Sequence, residues 1–451
     1  MPKIIKLRKG LDIKLAGHAD RRIETLPLAE TYGIVPSVFE GFTPKLLVKQ
    51  GDRVKAGSPV FFDKKRPEIV LSSPVSGTVQ DVVRGEKRKI LYVEIAADPG
   101  QEYEPFGAKD PAHMERGEVA DAILKSGLWP FIVQRPYGIV ANPADTPRAI
   151  FVSGFDSAPL APDMELALEG EAENLRTGFE ALGKLSGGKV HLGLRAGQKG
   201  VIASVANVEK HLFSGPHPAG NVGVQIANVA PVNKGEVVWT VNVQDVAIIG
   251  RLFNTGRVDM CRMIAVTGSE AADPCYVSAI GGVPYVSLLR GRLRAHTDSR
   301  PRIVDGNPLS GGTADPRGYV SLNTNQITLL PEGDKYEFLG WAMPRLGKFS
   351  VSRSYMSWLQ PGKVYTLDTN LNGGHRPFIQ TGLFERYLPM DIYPMYLLKA
   401  ILAGDIDKME NLGIYEVVEE DFALCEFVDP SKNDIQSLIR DGINLMIKEL
   451  D

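Results

Sequence analysis

The residues of this 451-residue chain best placed to do chemistry lie in Phe213-Ser214-Gly215-Pro216-His217-Pro218-Ala219-Gly220. Proline fixes φ and lacks an N–H, while glycine takes backbone shapes closed to other residues. Such a run cannot be a helix or a central strand. It is a shaped loop presenting His217, and it has two readings: a ligand-facing loop, or a tight connection between core segments. A second candidate is Gln244-Asp245, which follows the strand-like Val237–Asn242 and opens a helical stretch. Asp245 reads most simply as an N-cap. The alternative is a ligand-facing role, because strand C-termini face the binding crevice in open α/β sheets.

Other constellations are weaker. His211 and His217 are six apart, across a strand end and a loop, with no carboxylate or thiolate partner in reach of the pattern, so no metal site is expected there. Gly183-Lys184-Leu185-Ser186-Gly187-Gly188-Lys189-Val190 nearly matches the phosphate-binding loop. However, Val190 replaces the Mg²⁺-binding hydroxyl and the segment runs from helix into strand, so it reads as a helix C-cap. No G-x-G-x-x-G follows a strand. Arg290, Arg292, Arg294, Arg300 and Arg302, near His296, form a basic cluster: a solvated face, or a docking surface for an acidic partner. Three cysteines (Cys261, Cys275, Cys425) are too few and too scattered for a disulfide framework or a thiolate metal site. No catalytic Ser-His-Asp or Cys-His set is apparent.

The elements that must position these groups follow from periodicity. From Pro36, short apolar runs cut by glycine turns (Leu46–Val48, Val60–Phe62, Ile69–Leu71, Val75–Val79, Ile90–Ile95) predict a small all-β barrel or sandwich. Pro99–Pro111 reads as a linker, and the proline-rich Trp129–Pro147 as an extended wrapping segment. Ala149–Gly256 alternates strand and helix, with Leu175, Phe179 and Leu182 on one helix face, which predicts an α/β sheet. Arg262–Leu330 is β-rich again. The end is helical, most clearly Asn433–Leu450 with its stripe of Ile435, Ile439, Ile443 and Met446.

Bulk properties exclude some classes. Hydrophobic residues at 43% and charged residues at 23% are those of a globular chain. A net charge of −3 gives no drive toward nucleic acid. No run approaches the roughly 18 apolar residues of a membrane helix, and the basic N-terminus lacks the apolar core of a secretory signal.

Lys49-Gln50-Gly51-Asp52-Arg53-Val54-Lys55-Ala56-Gly57 and Ser73-Pro74-Val75-Ser76-Gly77 resemble the biotinyl/lipoyl carrier fold. Arg66-Pro67 interrupts the hairpin where a carrier lysine would sit, beside Lys64 and Lys65, so a barrel-sandwich without prosthetic group is expected. Further phrases extend the resemblance along the chain: Lys9-Gly10-Leu11-Asp12, Leu15-Ala16-Gly17, Ser126-Gly127-Leu128-Trp129, Arg135-Pro136-Tyr137, Gly215–Gly220, Asn242-Val243-Gln244-Asp245-Val246, Leu309-Ser310-Gly311, Phe338–Pro344, Lys348–Val351 and Leu388-Pro389-Met390-Asp391. Together they resemble the A-subunit family of the Na⁺-translocating NADH:quinone oxidoreductase (Na⁺-NQR), distantly similar to the flavin-binding subunit of complex I.

The resemblance implies an α+β multidomain chain. Residues 1–98 would form a barrel-sandwich domain with an N-terminal extension, 99–148 a linker and wrapping segment, and 149–257 a Rossmann-like α/β domain; 258–330 would be a β-grasp (SLBB-type) domain and 331–451 a C-terminal region ending in helices. It implies a location on the cytoplasmic face of the bacterial inner membrane, within a six-subunit complex and docked chiefly on its membrane-embedded flavin-bearing subunit. Flavins and iron–sulfur centres would belong to other chains of the complex, and the isolated chain would be inactive. Cys425 stands alone where relatives of complex I carry a cysteine cluster. Ubiquinone is the implied ligand: Ser214, Gly215, His217, Gly220, Gln244 and Asp245 would meet at the end of the α/β sheet with His217 as donor, and Arg290, Arg292 and Arg294 would dock a partner. The alternative is a docking module that binds no small molecule.

Overall fold

The computed structural model describes residues 3–295, 300–334, 337–340, 343–378 and 382–450; His296 and Trp341-Ala342 lie outside the described residues. Alternating apolar residues between glycine turns build two small facing sheets at the N-terminal end. One orders the strands Thr31–Ile34, Ile90–Ala97, Gly77–Arg84 and Arg53–Val54; the other orders Pro44–Leu46, Pro59–Asp63 and Val70–Ser72. Val54, Val60, Phe61, Leu71, Val79, Val93 and Ile95 fill the space between them. Lys64 and Lys65 are exposed at the hairpin tip. Arg66 folds back from that tip, pairing with the fully buried Asp63 (3.1 Å) and donating to the Val140 carbonyl (2.9 Å).

The larger sheet has seven strands in the order Ile4–Lys6, Glu209–Ser214, Val190–Arg195, Ile150–Ser153, Val238–Val241, Ile132–Arg135 and Ile139–Val140. The first five are mutually parallel, Ile132–Arg135 runs antiparallel to them, and Ile139–Val140 pairs antiparallel with Ile132–Arg135. The segment 99–148 is thus more than a linker. It supplies the helix Arg116–Ser126 and the two strands of the antiparallel edge. The N-terminal extension is divided as well: Ile4–Lys6 joins this sheet, and Ile23–Thr25 joins the next one beside Tyr276–Ser278. Short strands like these carry little periodicity of their own and take their pairing from the sheet they join.

Helices Ala172–Leu185 and Val243–Thr255 pack together on one face of the sheet. Leu175, Phe179 and Leu182 are buried there, at about 1.5–3 kcal/mol each. The two helices approach closely at reciprocal notches: a Cβ at Gly178 would strike the Val246 carbonyl, and one at Gly250 the Asn174 carbonyl.

A six-stranded mixed sheet follows, ordered Gly312–Thr313, Pro301–Asp305, Gln326–Pro331, Cys261–Thr267, Cys275–Ile280 and Ile23–Thr25. Beyond it the chain runs mainly in loops and short 3-10 turns until four helices: Pro394–Ala403, Ile406–Asn411, Glu419–Val428 and Ile435–Leu450. The stripe Ile435, Ile439, Ile443 and Met446 is fully buried and joins Leu7, Phe213 and Val224 in a second core, so the helices are anchored to the α/β sheet. Cys425 lies in that core, and burial pushes its thiol far above the ordinary range, away from thiolate chemistry. No helix of the described residues is long and apolar enough to cross a membrane.

Candidate functional site

After Ile150–Ser153 the chain adds Val190–Arg195 and Glu209–Ser214 outward on one side, then returns with Val238–Val241 on the other. This reversal is a topological switch point, where the crevice beyond the strand C-termini binds ligands in open α/β sheets. A cavity of about 590 Å³ opens there. Ser153, Phe155 and Asp156 line it after one strand, and Val241, Asn242 and Asp245 after the other. Phe39 and Phe131, Asn307, Leu309 and Asn325, and Glu419, Glu420 and Arg440 close the remaining sides, so every part of the chain contributes a wall.

Of the residues expected at this site, His217, Gly220 and Asp245 line the cavity. Ser214, Gly215 and Gln244 do not. Ser214 ends its strand, its carbonyl bonded to the Leu7 N–H (2.8 Å), and Gly215 (φ 140°) lies against Leu7. The N-terminal phrase clamps the loop: the His217 N–H donates to Asp12 Oδ1 (2.9 Å), and its carbonyl accepts from the Leu11 N–H (2.8 Å). Ser157 holds the far side, its Oγ accepting from the Gly220 N–H (2.8 Å) and lying 3.1 Å from His217 Nδ1. His217 is 3% exposed, and burial lowers its pKa against the opposing pull of Asp156 and Asp12.

The Gln244-Asp245 pair behaves differently. Asn242, not Asp245, caps the helix, with Oδ1 accepting from the Gln244 N–H (3.0 Å). The two residue types cap almost equally well, so the start lies three residues earlier than composition indicates. Gln244 bridges to the six-stranded sheet: Nε2 donates to the Met263 carbonyl and to Asn325 Oδ1 (2.9 Å each), and Oε1 accepts from the Met263 N–H (2.9 Å). Asp245 pairs with Arg262 (3.1 Å), whose side chain is fully buried. Burial pushes the Asp245 carboxyl up to about 6 although Arg262 pulls it down.

The pattern of residues missed a further group. Arg135 donates to Asp421 Oδ2 (3.2 Å) and to Glu420 Oε1 (3.0 Å) across 286 and 285 positions. Asp421 Oδ2 also accepts from the Val418 N–H at the start of its helix (3.0 Å), and its carboxylate sits where a side chain at residue 223 would go, so Gly223 makes room for it. Two carboxylates share one guanidinium. Burial raises the pKa of both, and Glu420, facing the cavity, is pushed up to about 7. The only sequence signal was indirect: Arg135-Pro136-Tyr137 carried part of the family resemblance.

The arginines and His211 are placed as well. The arginines do not form one free basic face. Arg292 pairs with Glu24 and donates to the Leu288 carbonyl (2.8 Å), and Arg302 pairs with Glu332. Arg294 is exposed yet bonds the Ala271 carbonyl (3.0 Å), and Arg290 is exposed. His211 does not approach His217; it faces His191 and Glu209 on the sheet.

The architecture defines the class: a barrel-sandwich domain joined to an α/β domain, with a cavity at the α/β switch point. Residues 5–98 match the NqrA N-terminal barrel-sandwich hybrid domain, and 114–258 the NqrA second alpha/beta domain. Curated relatives match end to end. The A-subunit of the Na(+)-translocating NADH-quinone reductase of Neisseria meningitidis (serogroup A, Z2491) is 36% identical, covering 99% of this chain and 100% of the relative. Those of Serratia proteamaculans and Rhodopirellula baltica are each 35% identical, covering 99% of this chain and 100% and 98% of theirs. The chain belongs to this NqrA family, the A-subunits of Na⁺-translocating NADH-quinone reductases.

Proposed function

We propose that this chain serves the ubiquinone-reduction step of a Na⁺-translocating NADH:quinone reductase and that its switch-point cavity receives the quinone headgroup. The chain is read as lying on the cytoplasmic face of the bacterial inner membrane, held there by partners, chiefly the flavin-bearing membrane subunit. Flavins and iron–sulfur centres are assigned to other chains of the complex, and the isolated chain is expected to lack reductase activity. The six-stranded unit around 261–331 is read as the β-grasp ligand-binding-type domain.

The observation that carries the quinone assignment is the lining of the cavity. A quinone headgroup is planar and apolar with two carbonyl acceptors, and it needs apolar walls with a few placed donors. Phe39, Phe131, Phe155 and Leu309 supply apolar wall, and Asn242, Asn325 and His217 supply donors. In the tautomer where Ser157 Oγ donates to His217 Nδ1, the imidazole keeps its Nε2–H for a ligand carbonyl. Among the lining residues, Glu40, Asp156, Asp245, Glu419 and Glu420 outnumber Arg135 and Arg440, an acidic excess that disfavours a nucleotide phosphate and suits a neutral ligand. In the assembled complex, His217→Ala is expected to raise the ubiquinone KM at least tenfold. Unchanged KM and turnover would remove the assignment.

A docking role without a small molecule has its own support. Phe338, Met343, Trp358 and Leu359 are each more than half exposed, an unusual concentration of large apolar side chains at the surface of one segment. Trp358→Ser with Leu359→Ser is expected to weaken assembly. If assembly fails in that variant while the wild-type chain shows no quinone binding in any form, the docking reading alone survives.

A further inference from the structure

Strands Val190–Arg195 and Glu209–Ser214 run parallel, with His191 opposite Glu209 and Gly193 opposite His211. Side chains alternate between faces along a strand. Glu209 and His211, two apart, therefore share one face, and the register puts His191 on it too. His191 Nδ1 lies 2.9 Å from His211 Nε2. One ligand atom from each of His191, Glu209 and His211 falls within 4.8 Å of the others. Phe151 stacks on the His191 ring at 4.5 Å and fixes its plane. The cluster sits toward the strand N-termini, at the end of the sheet away from the switch-point cavity.

We propose that His191, Glu209 and His211 form a binding site for a divalent transition-metal ion, with zinc as the reference ion. Two imidazole nitrogens and one carboxylate oxygen are the ligand set of open zinc sites, which keep a fourth position for water. Imidazole with carboxylate suits zinc, cobalt, nickel or copper, and no thiolate is present to draw softer chemistry. All three side chains are half-buried, so an ion reaches them from solvent without unfolding. In tetrahedral geometry two nitrogens at zinc bonding distance lie about 3.3 Å apart, so the pair opens by a small ring rotation. Lys189 is the competitor: its ammonium lies 2.7 Å from Glu209, but it is 72% exposed and free to swing away. Metal-free, the cluster is held by the His191–His211 hydrogen bond and the Lys189–Glu209 ion pair.

The test uses the full-length chain stripped with EDTA and titrated with CoCl₂. Wild type is expected to take up one equivalent with the visible absorption of four-coordinate cobalt, and ZnCl₂ should bleach it. His191→Gln and His211→Gln should each weaken binding at least 100-fold, and Glu209→Gln about tenfold, with melting curves in EDTA like wild type. Lys189→Ala removes only the competitor and should tighten binding several-fold, so the proposal stays falsifiable should a histidine variant misfold. Absence of a saturable equivalent in wild type, or an unchanged titration in the His191→Gln/His211→Gln double variant, would overturn the site. Unchanged affinity in both Lys189→Ala and Glu209→Gln would overturn the role of Glu209.

Discussion

Two strand ends of the same sheet met the same rule and came to different ends. After Val238–Val241, Gln244 and Asp245 stand at the crevice, but the six-stranded sheet packs onto them. Gln244 has both ends of its amide taken up by that sheet, and Asp245 is locked to Arg262. After Glu209–Ser214, the loop to Gly220 has its backbone pinned by Asp12, Leu11 and Ser157, yet His217, though buried, is among the residues lining the cavity. A place beyond a parallel strand nominates a residue for ligand contact. The unit packed against it decides whether the side chain becomes a fastener or remains a donor.

The sharpest way to break that comparison is to unlock the fastener. Asp245→Ala leaves Arg262 buried with only the Leu322 carbonyl and Asn325 as partners. A guanidinium cannot shed its charge, so the loss should reach about 3–5 kcal/mol by urea unfolding. Arg262→Met should cost less, because Asp245 can take up a proton. The sign follows from its raised pKa: the stability tied to that proton is complete below about pH 4 and is lost as pH rises through about 6. Without Arg262 that window moves upward, so the gap between Arg262→Met and wild type should widen from pH 6 to 8. Equal costs for the two variants at every pH would mean that the pair is no lock.

The donor side should respond less in stability and more in binding. A Cβ at Gly220 would lie 2.6 Å from the Ser157 nitrogen and 2.9 Å from the Asp156 carbonyl carbon, neither of which can yield easily. Gly220→Ala is therefore expected to lose about 1–3 kcal/mol, as overpacked sites do, and to weaken quinone binding by displacing Ser157. His217→Ala leaves the backbone clamps in place. It should change the melting temperature little, while the tenfold rise in ubiquinone KM corresponds to about 1.4 kcal/mol of binding. A large stability loss with unchanged KM would make His217 a fastener like Gln244.

What could be read from the sequence divides along the same line. The glycine–proline loop, the strand before it, the later strand Val238–Val241 and the helix stripe of Leu175, Phe179 and Leu182 are local signals, and each lies in the expected kind of element. The two family matches carry the barrel-sandwich and α/β classes that were read, the second reaching back to 114, into the stretch read as linker. The groups that were missed are set by register and by long-range packing. Nothing near Arg135 names Glu420, because the helix carrying Glu420 arrives 285 positions later. Likewise His211 gave no hint of His191, since parallel strands fix which residues meet only once their register is set. The strands Ile132–Arg135 and Ile139–Val140 were hidden by Pro130, Pro136 and Pro143, which flank the strands without entering them and so cost the ladder no N–H.

The smallest expected effect separates the cavity groups from the buried lock by pH. Glu420 is raised to about 7, chiefly by burial and further by Asp421, against the pull of Arg135. The stability that depends on its proton is thus present below the unfolded carboxyl value and declines as pH rises through about 7. Its side chain is 41% exposed, opening on the cavity, so solvent screens the effect and keeps it small. Glu420→Gln removes the decline and leaves Arg135 paired one to one with Asp421, which then ionises more readily. Thermal melts from pH 5 to 8 should therefore run flatter in the variant than in wild type, with the variant gaining at the alkaline end. If the two curves stay parallel, Glu420 does not titrate in the neutral range. The cavity would then offer a ligand hydrogen-bond donors without a carboxyl group poised to exchange a proton at physiological pH.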